Sequence, residues 1–169
     1  PILIPQIKNE LKVKTKPSEA NRLLMEEMQS CESVCVHVRR GDYLAPEFAH
    51  LNVCDQDYYM EAMQKMKAQK PDAVFYEDLQ NDPNDGLGGD LNEDTVNDFS
   101  GFEVRYVDLD NPDYEELRLM YHCKNFIISN STYSWWGQFL SDNPHKIVMA
   151  PSVWNREMNA DLRLTFIME

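Results

Sequence analysis

The apolar residues of this chain follow two periods in turn, and the alternation predicts its elements. Residues 34–38, Val-Cys-Val-His-Val, are apolar at nearly every position. That pattern predicts a strand covered on both faces, as in a parallel sheet. Residues 55–70 carry the clearest helical period: Tyr59, Ala62, Met63 and Met66 recur at i, i+3, i+4 and i+7, and Pro71 closes the run. Ser18 as an N-cap, with Leu24, Met25 and Met28 on one face, predicts a helix over 18–30. Further helices are predicted over 113–123, with Tyr114, Leu117, Met120 and Tyr121 inward, and over 133–141. Short strands are predicted at 73–76, 104–108, 125–129 and 146–150. Strands alternate with helices, so the predicted fold class is α/β with a Rossmann-like, largely parallel sheet.

One segment breaks the alternation. Residues 77–103 hold nine acidic residues and no Lys or Arg, around the turn-rich run NDPNDGLGGD. An acidic insert or mobile surface loop is expected there, within a single domain spanning 1–169. A calcium loop is the functional alternative. Its register fails, because with Asp85-Gly86 in place the twelfth position is Asn92, not Glu. No internal repeat is visible.

Composition narrows the partners. The length of 169 residues and 43% hydrophobic content suit one domain with its own core. A net charge of −13 argues against nucleic acid or an anionic membrane surface as partner. No stretch approaches the roughly 18 apolar residues of a membrane span. The opening PILIPQIKNELKVK lacks the order of a signal peptide. A cytoplasmic location of bacterial type is therefore expected rather than the Golgi lumen, with membrane association left open. Cys31, Cys35, Cys54 and Cys123 form no CxxC pair and are expected to be reduced. His37, His50, His122 and His145 show no zinc-ligand spacing with them.

The candidate chemistry sits at two strand ends. In VCVHVRRGDY, residues 34–43, strand alternation sets Cys35, His37 and Arg39 on one face. Arg39 then emerges at the carboxyl end, the edge where open α/β sheets bind ligands. An arginine fork holds two phosphate oxygens at once and keeps its charge. Gly41 permits a tight turn, and Asp42 can hold the fork or cap that turn. Taken alone, the segment reads equally as a strand end with a surface Arg–Asp pair. The second end is FIISNSTYSWWGQFL, residues 126–140: strand, polar turn, helix start. Helix N-termini offer unpaired N–H groups and a partial positive charge. Ser129, Ser131, Thr132 and Ser134 add hydroxyls. Asn130 can equally be a local turn residue, and Trp135 or Trp136 core packing. Two anion-suited strand ends in one α/β domain point to one nucleotide crevice.

These two segments resemble the α-1,2-fucosyltransferases of glycosyltransferase family 11, whose motifs are HxRRGD and SNSxxSWW. CDQDYY at 54–59, YEELRLMYHCKNFIISN at 114–130 and KIVMAPSVW at 146–154 extend the likeness over about residues 5–155. The resemblance implies the C-terminal, donor-binding half of a two-domain GT-B-type enzyme. That enzyme transfers fucose from GDP-fucose to a terminal galactoside in α-1,2 linkage, with inversion and no metal. By this resemblance Arg39 holds the β-phosphate, His37 and Asp42 support it, and Arg40 beside Gly41 adds charge. Ser129, Asn130, Ser131 and Thr132 lie along the pyrophosphate or ribose. The family's glycine-rich GGLGNQ opening is absent, which implies that the N-terminal acceptor domain is absent too. Where the family has an FSDD-like motif for the base, this chain has Tyr76-Glu77-Asp78-Leu79, and Asp78 is the candidate acceptor for guanine.

Three rivals stand beside that reading. Asp108 and Asp110 form a DxD at a predicted strand end, as in metal-dependent sugar transferases; they also suit the start of the helix near Asp113. A non-catalytic nucleotide or phosphate-binding module would keep the same anion sites. A purely structural interaction domain would bind no nucleotide.

Overall fold

The apolar run at Val34 becomes the middle strand of a five-stranded sheet in which every neighbouring pair is parallel. The computed structural model describes residues 3–39, 46–78, 99–107 and 111–157. The strands are β1 (Glu32–His37), β2 (Ala73–Asp78), β3 (Val104–Val107), β4 (Asn125–Ile127) and β5 (Val148–Met149). The helices are α1 (Leu3–Leu11), α2 (Glu19–Ser30), α3 (Gln56–Gln69), α4 (Asp113–His122) and α5 (Thr132–Leu140). The sheet order is β3-β2-β1-β4-β5. The chain thus runs outward from β1 in one direction, returns, and continues from β4 in the other. This is the Rossmann-like, doubly wound arrangement, and its order reverses between β1 and β4.

The period-2 pattern of β1 is spent on two cores. Val34 and Val36 join Tyr59, Ala62, Met63 and Met66 of α3, with Phe75 and Ile127 from neighbouring strands. Cys35 joins Met28 of α2, Leu119 and Met120 of α4, Tyr76 and Phe126 on the opposite face. Each fully buried side chain of this size stabilises the fold by about 1.5–3 kcal/mol, which is why the helical period of α3 could be read from sequence. Ser18 caps α2 by accepting from the Asn21 N–H at 3.2 Å, and Asp55 caps α3 from the Tyr58 N–H at 2.9 Å.

Three expectations change. Tyr114 is exposed rather than inward, and α4 buries Glu115 and Arg118 instead. Burying charge demands partners. Arg118 meets Glu115 at 3.3 Å and donates to Thr15 Oγ1 at 2.9 Å, while Asn21 Nδ2 donates to Glu115 Oε2 at 3.2 Å. The linker before α2 thus covers that face of α4. Second, α1 was not foreseen. None of its side chains is buried, and Leu3, Ile4 and Leu11 are exposed. It rests on α5, where Lys8 Nζ donates to Ser141 O at 2.8 Å and lies 5.4 Å from the Phe139 ring centre. Third, the expected loop over 77–103 begins inside β2, and near its end Phe99 is core while Ser100, Gly101 and Glu103 are exposed. Phe99 is buried near Tyr59, and Phe102 packs edge-on to Phe75 at 5.5 Å. Residues 79–98, including the calcium-loop positions Asp85 and Asn92, lie outside the described residues.

All four cysteines are free thiols, as expected for reduced, structural ones. Among the described residues no helix is long and apolar enough to cross a membrane.

Candidate functional site

The strand switch sets the carboxyl ends of β1 and β4 side by side, with Val36 and Ile127 in register. The loops that leave these ends are the two segments with candidate chemistry. A hydrogen bond joins them: His37 Nδ1 and Ser129 Oγ lie 2.9 Å apart, both fully buried. The His37 ring also lies 5.8 Å from the ring of Tyr133, in the first turn of α5. His37 is thus a buried tie between the two strand ends. Arg39, two residues further on, is half-buried just past the end of β1.

The polar turn 129–134 is built largely by its own side chains. Ser131 is the N-cap of α5 and accepts from the Tyr133 N–H at 3.2 Å. Ser134 is fully buried and donates back to Ser131 O at 3.0 Å. Thr132, the first residue of α5, is exposed. Asn130 is buried and its amide bridges two other loops, donating to Leu51 O and Trp154 O at 2.8 Å each. Its Oδ1 accepts from the Cys54 thiol at 3.7 Å. Burial pushes that thiol up to about 11, so it remains a neutral donor. The Arg156 N–H donates to His50 O at 3.0 Å, closing the same two loops together. The exposed side chain of the turn is Thr132, at the start of α5, a terminus suited to an anion.

Trp135 and Trp136 are half-buried and meet at 5.1 Å, with Phe139 stacked 5.0 Å from Trp135. They form an aromatic face on α5. Asp78 ends β2 and pairs in register with His37, one strand away from the switch. Arg40, Gly41 and Asp42 lie outside the described residues, as do Asp108 and Asp110.

Two contributors went unrecognised as parts of the site in the sequence. Tyr59, expected only as core, donates its hydroxyl to His37 O at 3.2 Å. Tyr58, its neighbour, donates to Ile128 O at 2.6 Å and lies 3.4 Å from Met149 O. The signal in the sequence is the CDQDYY run at 54–59.

The model of Glycosyl transferase family 11 matches residues 3–164. The chain belongs to that family. It is 33% identical over 132 residues to an O-antigen biosynthesis glycosyltransferase, WbnK, of Escherichia coli, covering 75% of this chain and 40% of that protein. It is 30% identical over 143 residues to an alpha-1,2-colitosyltransferase of Escherichia coli, covering 81% of this chain and 47% of that protein. The chain thus spans less than half the length of the curated relatives it matches. No solved structure matches it.

Proposed function

We propose that this chain supplies the donor site of a glycosyltransferase that moves fucose from GDP-fucose to a terminal galactoside hydroxyl, forming an α-1,2 linkage with inversion. The observation that carries this reading is the juncture at the switch. The end of β1 that delivers Arg39 and the turn that opens α5 are held together by His37 and Ser129. Between them lies the place for a diphosphate. Membership of the family and the glycosyltransferase names of its relatives support the reaction class.

The difficult part of such a transfer is the leaving diphosphate, whose charge grows as the anomeric bond breaks. A preorganised arginine stabilises that charge, and losing one such donor costs roughly 10²–10³ in rate. In this reading Arg39 holds the β-phosphate and needs no metal. Arg40, Gly41 and Asp42 complete that loop, Thr132 and the α5 terminus meet the phosphates or ribose, and Asp78 accepts from guanine. The acceptor hydroxyl attacks the opposite face of the sugar and gives its proton to a base.

A transfer assay with GDP-fucose and a β-galactoside tests this directly. The expected product is an α-1,2-fucosylated galactoside formed equally well in EDTA. Arg39→Ala is expected to abolish transfer, and Arg39→Lys to rescue it poorly, because an ammonium lacks the fork. Activity that requires a divalent cation would favour Asp108 and Asp110 instead. Neither transfer nor GDP-fucose hydrolysis would favour a binding module. One relative's name favours a second donor, so a colitosyl donor belongs in the same assay.

A further inference from the structure

We infer that Tyr58 and Tyr59 are positioning residues that set the distance between the two phosphate-facing loops. The inference rests on the reading of the switch as a nucleoside-diphosphate site.

The two residues are consecutive in the first turn of α3. Side chains of neighbouring helical residues point about 100° apart, so one turn of helix reaches two strands. Tyr59 donates to the carbonyl of His37, the last residue of β1, at 3.2 Å. Tyr58 donates to the carbonyl of Ile128, just past β4, at 2.6 Å. These carbonyls precede Val38-Arg39 and Ser129 directly. The rings brace each other edge-on at 5.0 Å. Burial raises the Tyr58 phenol well above its ordinary value, so it stays a neutral donor across the working pH range.

The base of the clamp is fixed as well. Asp55 caps the helix through the Tyr58 N–H, and Cys54 is tied to Asn130 on the β4 side. The His37–Ser129 bond joins the same two strand ends through side chains. The tyrosines do so through the backbone, and the backbone sets where Arg39 and the α5 terminus stand. A diphosphate that bridges both loops is sensitive to their spacing; misplacement of about 1 Å can cost on the order of 10² in a positioned step. A monophosphate that needs one loop is not.

Calorimetric titration with GDP and with GMP tests this, on the parent chain and on Tyr58→Phe, Tyr59→Phe and Tyr76→Phe. Tyr76 is the control: a buried tyrosine whose hydroxyl donates to Glu27 at 2.9 Å on the other face of the sheet. The expected result is about tenfold weaker GDP binding for Tyr58→Phe and Tyr59→Phe, the equivalent of one hydrogen bond. GMP binding should hardly change, and Tyr76→Phe should bind both as the parent does. Unchanged GDP affinity in both clamp variants overturns the inference while leaving the nucleotide site standing. Equal losses for GDP and GMP, or a matching loss in Tyr76→Phe, overturn it as a general loss of stability. A parent chain that binds neither nucleotide overturns the site reading, and the inference with it.

Discussion

Asn130 and Ser129 are neighbours in sequence and take different parts in the fold. Ser129 ties one strand end to another through His37. Asn130 turns away and stitches the loops at Leu51 and Trp154, which lie 79 and 24 residues from it. No local pattern in SNST announces such distant partners, which is why Asn130 read equally as ligand-facing or as turn. The position of Arg39 was legible, because the apolar run marks where β1 ends and Arg39 follows that run directly. Asn130→Asp sharpens the distinction. The change is isosteric, but it sets a carboxylate oxygen against two carbonyls at 2.8 Å. A stability loss of about 3 kcal/mol is expected, with chemical denaturation as the measurement. Asp78→Ala makes a separate claim: the variant should still bind GDP but lose its preference over ADP, and a variant that keeps the preference removes Asp78 from base recognition.

Helices and strands with a strong period were legible to within a few residues, and α1 was not. A helix with no buried side chain presents no core-facing period to detect. Its contact with α5 rests on polar chemistry at a helix end, where Lys8 and Lys146 both donate to carbonyls of residues 138–141. Burial first, and then the nearby Lys8, push Lys146 down to about 8, against the opposing pull of Asp142. The folded chain therefore gives up this proton near pH 8, while the unfolded chain holds it to about 10.5. The unfolded state binds more protons between those values, so this group raises stability as pH rises through them, and its penalty is fully present below pH 8. The thermal midpoint of the parent, relative to Lys146→Met, should rise from pH 8 to pH 10. The α4–α5 contact makes its own demand. A Cβ at Gly137 would stand 3.1 Å from Met120 Cβ and 3.0 Å from Met120 Cε. Gly137→Ala gains helix propensity yet forces the helices apart, and a net loss of about 1 kcal/mol is expected in denaturant titrations.

The doubly wound topology converts a one-dimensional sequence into a site. Alternating strands and helices predicted a parallel sheet, but not that its order would reverse between β1 and β4 and so bring residues 37 and 129 within 2.9 Å. Two anion-suited strand ends implied one crevice only if they were neighbours, and the strand order makes them so. The acidic excess stayed illegible as chemistry, since its centre at 79–98 lies outside the described residues and only its ends are seen entering the core. The central claim is that this juncture binds a nucleoside diphosphate through Arg39 without a metal. Calorimetric titration with GDP in EDTA, for the parent chain and Arg39→Ala, tests it most directly. The account predicts saturable binding by the parent that Arg39→Ala abolishes. Binding that survives Arg39→Ala, or that appears only when a divalent cation is supplied, would contradict it.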